Sequence, residues 1–144
     1  MFDIQIYTDY VSRIGGTWIG KTVYSVGVGA LGVVILAVFF AGFLSASTLD
    51  ILMPAFVGFN AALTGYMVID KNRNMTRRRQ LLSMAAGTAM VLTAAVGLNI
   101  VFYKWVGYLL VGIGGLALQL AIAIPASALG AKLCSKYLSL NQSG

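Results

Sequence analysis

The sequence predicts an all-α, polytopic membrane protein: four transmembrane helices as two antiparallel hairpins, preceded by a short amphipathic interfacial helix, in one domain over residues 1–144. Three observations carry this reading. Only 10% of the residues are charged and 59% are hydrophobic, with a mean hydropathy of +0.87; a water-soluble domain carries about 25% charged residues. Four long stretches hold no charge, Thr22–Leu49, Ile51–Ile69, Gln80–Tyr103 and Trp105–Ala131, and about 20 apolar residues span a bilayer as a helix. The charge is instead concentrated in Asp70–Arg79, where six of ten residues are ionised. A charge at the bilayer centre costs at least about 2.5–3.5 kcal/mol, so this run belongs in water or among headgroups.

Residues 1–21 place Tyr7, Val11, Ile14 and Trp18 at three- or four-residue spacing, with Asp3, Asp9, Ser12 and Arg13 mostly elsewhere on the wheel. This predicts a short helix lying in the interface, apolar stripe toward the acyl chains, with Gly15-Gly16 as the bend into the first span. The first span is expected over residues 23–44. Its uncharged stretch is far longer than a signal-peptide core and is preceded by Asp3 and Asp9, so it is read as retained. Ser25, Gly29, Ala37 and Ala41 form a small-residue face that would allow close helix approach.

A short link, Ser45–Asp50, makes spans one and two a hairpin. In span two, residues 51–69, Pro54 is expected in the first turn, where its missing N–H removes no helical bond. Asn60 falls near mid-span among Gly58, Ala61, Ala62 and Gly65, and its amide is expected to bond across to another helix. Span three, residues 81–102, carries Ala85, Ala89, Thr93 and Gly97 at strict four-residue spacing, the clearest packing face in the chain. The link Tyr103–Trp105 predicts a tight second hairpin with Phe102, Tyr103, Trp105 and Tyr108 as an aromatic belt. Span four, residues 106–130, has Gln119 near its centre and a helix bend at Pro125; residues 131–144 complete the chain as a polar tail.

With the N-terminus in the cytoplasm, Arg13, Lys21, Lys71, Arg73, Arg77, Arg78, Arg79, Lys132 and Lys136 lie inside and only Lys104 outside. The positive-inside rule therefore predicts both termini cytoplasmic, in a bacterial inner membrane. Lys71, Arg73, Arg77, Arg78 and Arg79 are the expected contacts to anionic lipid headgroups, at about 1 kcal/mol per basic residue, or to an acidic partner. No nucleic-acid partner is expected.

The chain has no histidine and one cysteine, Cys134. That excludes bis-histidine haem, an imidazole base, a histidine zinc site and an intramolecular disulfide. No acidic residue falls inside a span, so the chain departs from the small four-helix multidrug exporters, which need a buried carboxylate to carry a proton. It also lacks the acidic, histidine and arginine cluster of four-helix glutathione-using membrane enzymes. No phosphate loop or nucleophile elbow is present. No enzymatic activity and no cofactor are expected.

The surplus of small-residue faces predicts a membrane subunit that packs against copies of itself or other membrane proteins. Spans two and three, a hairpin around a basic loop, resemble in architecture the pilin-type subunits of conjugation and type IV secretion systems, which implies an assembly role. The alternatives are a small oligomeric channel or transporter, with Asn60, Thr64, Asn99 and Gln119 lining a polar path, and a holin-like or toxin-like perforating protein.

Overall fold

The computed structural model describes residues 6, 8–9, 12–13, 16–73, 78–107 and 111–142. Four helices follow in order, α1 (Trp18–Ala41), α2 (Ala46–Lys71), α3 (Arg79–Val106) and α4 (Ile113–Gln142), with no strand among the described residues. All four are long and apolar enough to cross a membrane, so the fold is the all-α polytopic bundle that the composition predicts. Before α1, the described residues 6, 8, 9, 12, 13 and 16 are helical, and Ser12 Oγ donates to the Asp9 carbonyl at 2.9 Å. Tyr7, Val11 and Ile14, which define the expected interfacial stripe, lie outside the described residues. Trp18, the stripe's last member, opens α1.

The helix ends differ from the sequence reading where capping chemistry overrides the charge pattern. Of the expected Gly15-Gly16 bend, Gly15 lies outside the described residues and Gly16 is helical, so that the described helical residues before α1 end at Thr17. Its backbone is extended, with φ −77° and ψ 157°, and its side-chain oxygen accepts the Gly20 N–H at 3.1 Å. This is the N-cap geometry that satisfies an orphan donor of the first turn. Ser45 does the same for α2, its hydroxyl accepting the Thr48 N–H at 3.4 Å. Starting α2 at Ala46 places Pro54 in the third turn rather than the first. The proline therefore does remove an interior hydrogen bond, leaving the Asp50 carbonyl without its usual donor.

The second hairpin is looser than the expected three-residue link. α3 continues through Tyr103-Lys104-Trp105 to Val106, because none of these residues breaks a helix, and stops at Gly107. Gly107 has φ 80° and donates its N–H to the Tyr103 carbonyl at 3.1 Å, the left-handed cap that glycine adopts without a Cβ clash. α4 then begins at Ile113 and runs through the expected polar tail to Gln142. Leu133 and Leu138 sustain a helical apolar pattern there, and no Gly or Pro interrupts Ala131–Gln142.

In cross-section the bundle is a diamond. α2 and α3 touch each other and both outer helices, whereas α1 and α4 share no contact among the described residues. The main core joins Val33 and Ala37 of α1, Met53, Val57 and Ala61 of α2, Met90, Val91 and Leu98 of α3, and Ala123 of α4. Phe40 stacks on Phe56 across the first hairpin with centroids 5.3 Å apart. The start of α1 lies beside the end of α2, since Lys71 Nζ sits 4.2 Å from the Tyr24 ring centroid. α2 and α4 run in the same direction. Gly58, midway along α2, faces Ile122, and Ile69, near the end of α2, packs with Ala131 and Cys134.

Candidate functional site

The closest helix contact is where α2 crosses α4, and it is made of backbone. A methyl placed on Gly65 would fall on the Ser127 carbonyl, 2.7 Å from its carbon; one on Gly130 would fall on the Ala62 carbonyl, 2.8 Å from its carbon. Each helix thus offers a glycine to the other's carbonyl through a small-x-x-small pair, Ala62/Gly65 and Ser127/Gly130. Small residues at a crossing let backbones approach where lipid provides no hydrophobic drive. Ser127 is also wedged from the other side: a methyl on Gly87 of α3 would lie 2.6 Å from its Oγ. Gly87, Ser127 and Gly130 escaped the sequence reading, which followed four-residue spacing and overlooked Ser127-x-x-Gly130.

The expected packing residues divide between filled and open faces. Gly29 of α1 lies against Thr64 Oγ1 and 2.9 Å from Met90 Cγ as a methyl would measure it, Gly58 against Ile122, and Gly97 of α3 against Val34. Ala85 and Ala89, by contrast, are exposed, as is Thr93 between them and half-buried Gly97. The four-residue series expected to be the clearest packing face therefore points away from the bundle along most of its length. The buried face of α3 is Ala86, Met90, Val91, Ala94, Ala95 and Leu98, bulkier and set one position to the side.

Asn60, Thr64 and Asn99 hydrogen-bond to backbone. Asn60 is buried, but its Nδ2 donates to the Phe56 carbonyl of its own helix at 2.9 Å, not across to a partner. Thr64 Oγ1 donates to the Asn60 carbonyl at 2.8 Å. Asn60 Oδ1 instead lies where a Cβ on Gly32 of α1 would be, so the amide is held by α1 through contact. Gln119 is buried in α4. Asn99 bonds twice to one residue of the α3–α4 connection: its Nδ2 donates to the Val111 carbonyl at 3.1 Å, and its Oδ1 accepts the Val111 N–H at 2.9 Å. It thereby ties the α3–α4 connection to α3. Asn60 and Asn99 lie 39 positions apart on different helices and make no shared hydrogen bond among the described residues. α4 passes through Pro125 as one helix, and Pro125 is exposed on its outer side.

At the basic end of the bundle, Arg73 Nη2 meets Asp70 Oδ1 at 2.7 Å, and its Nε donates to the Asp70 carbonyl at 3.1 Å. The hydrogen bond to Asp70, reinforced by its charge, pushes the Arg73 guanidinium above its already high pKa. Arg79 donates to the Arg73 carbonyl at 2.7 Å, closing the α2–α3 connection on itself. Arg78 is exposed, and Arg77 lies outside the described residues. Lys71 is half-buried and engages Tyr24, which makes it a brace between α1 and α2. Lys132 and Lys136 of α4 are exposed at this same end; the sequence reading counted them for topology only. Among the described residues no group of His, Cys, Asp and Glu is placed to hold a metal ion. No protein-family model, curated protein or solved structure matches the chain.

Proposed function

We propose that this protein is a non-enzymatic membrane subunit that assembles with copies of itself or with other membrane proteins, through the outward face of α3. The observation that supports it is the contrast between small-residue faces. Those at Gly29, Gly65, Gly87 and Gly130 are filled by the chain's own helices, whereas Ala85, Ala89 and Thr93 are left open. A face of small side chains gains little from lipid and much from a second helix that can approach closely. The reading extends to an inner-membrane protein with both termini and the basic end in the cytoplasm, where the cations meet anionic headgroups.

The test is disulfide crosslinking in native membranes, in a Cys134→Ser background. Ala85→Cys and Ala89→Cys are expected to give covalent dimers or adducts to a neighbouring protein, and Ile35→Cys on the lipid-facing side of α1 is not. Equal, background-level crosslinking at all three positions would refute assembly through α3. Protease added from the cytoplasmic side should cut the α2–α3 connection, and cutting only from the opposite side would refute the orientation.

A further inference from the structure

We infer that the exposed flank of α4 at Lys132 and Lys136 binds the phosphate of an anionic phospholipid, whose acyl chain lies along Leu129 and Leu133. The argument starts from depth. α2 and α4 run parallel with an offset of about 64 positions, since Gly58 faces Ile122 and Asp70 neighbours Cys134 electrostatically. Lys132 is then level with Val68, three residues inside Lys71 at the end of α2, or about 5 Å at 1.5 Å per residue. A lysine there cannot point straight out into hydrocarbon; its four-carbon stem must bend toward the headgroups. Lys136 is one turn further along the same helix and exposed like Lys132.

The apolar half of the site is continuous with the cationic half. Leu129 is 56% and Leu133 55% exposed, and positions 129, 133 and 136 fall on one helical face, with 132 at its edge. Two ammonium groups one turn apart, above a leucine ridge, match a phosphate ester above an acyl chain. Among the described residues no acid is paired with either lysine, and Asp70, which acts electrostatically on Cys134 of α4, is ion-paired with Arg73. An acidic soluble protein would find the phosphate level of the flank but not its leucines, which the bilayer covers. The site therefore fits a lipid.

This inference rests on the reading that the basic end faces a lipid surface, and the experiment separates the two. Native mass spectrometry would follow lipid retained by the purified protein in mixed micelles containing phosphatidylglycerol or phosphatidylcholine. Wild type is expected to retain phosphatidylglycerol in preference. Lys132→Gln/Lys136→Gln is expected to lose about thirtyfold of that affinity, about fivefold for each cation at an anionic surface, while Lys132→Arg/Lys136→Arg keeps it. Arg78→Gln, in the α2–α3 connection, is expected to lose at most fivefold. If wild type shows no preference for the anionic lipid, the broader lipid-facing reading fails and this site with it. If wild type shows the preference and the double glutamine variant keeps it, with unchanged helical content, only the Lys132–Lys136 site is overturned.

Discussion

Gly65→Ala tests the backbone crossing between α2 and α4 directly. The added methyl would lie 2.7 Å from the Ser127 carbonyl carbon and 2.9 Å from its Cα, against about 3.5–4.0 Å for ordinary carbon contact. Both obstructing atoms are backbone, so no rotamer change relieves the overlap, and the two helices must part by about 1 Å. A gap of that size forfeits a quarter to a half of each dispersion contact it opens, and overpacking of this kind costs about 1–3 kcal/mol. Removing a glycine from a helix interior returns up to about 1 kcal/mol. The expected net loss is about 1–2 kcal/mol, read from reversible unfolding in mixed micelles of a mild detergent and dodecyl sulfate by far-ultraviolet circular dichroism. Gly27→Ala is the matched control, because a methyl there meets nothing within 4 Å; it should be neutral or stabilising by up to about 1 kcal/mol. Gly130→Ala forces the same separation through the Ala62 carbonyl. The double variant should therefore lose less than the sum of the two single losses, since contacts at one crossing are coupled. A Gly65→Ala protein as stable as wild type would refute the close crossing.

Two further predictions concern the ends of the bundle. Asn99→Leu removes both hydrogen bonds to Val111 and should cost about 1–2 kcal/mol, with faster amide exchange at Val111 as the local readout; unchanged exchange would show that the connection is held by something else. Lys71→Met and Tyr24→Leu should each weaken the α1–α2 contact, and a double-mutant cycle should return a coupling of about 0.5–1 kcal/mol for a cation over an aromatic face. A coupling of zero would mean that the ammonium is satisfied elsewhere.

Much of the architecture was legible because lipid imposes a coarse rule: a charge-free stretch long enough to cross is a span. That rule located all four helices and the basic connection between the second and third. It could not locate their ends, which depend on single capping groups such as the Thr17 and Ser45 hydroxyls and the left-handed Gly107. α4 illustrates the cost of reading charge alone. Lys132 and Lys136 suggested an end, yet lysine is a good helix former whose long stem carries its charge toward the headgroups, and α4 continues to Gln142.

Small-residue spacing was less informative about partners. Any stripe of alanine and glycine permits close packing, and which stripe is filled depends on how the helices are rotated, which the pattern leaves open. Thus Gly29 and Gly65 are enclosed while Ala85 and Ala89 are not. Spacing is equally silent on where the amide of Asn60 bonds. A buried polar side chain on a helix always has its own carbonyl four residues back within reach, and Asn60 takes that near acceptor without needing another helix.

The diamond arrangement bears on how the chain is made. Synthesis proceeds from the N-terminus, so α2 enters the bilayer well before α4, its most intimate neighbour, has left the ribosome. During that interval the notch at Ala62 and Gly65 is lined by lipid, and the half-formed protein has three helices with nothing to hold the third side of α2 in place. The bundle closes only with the 30 residues of α4, Ile113–Gln142, and without them the carbonyl notch at Gly65 has no Ser127 to fill it.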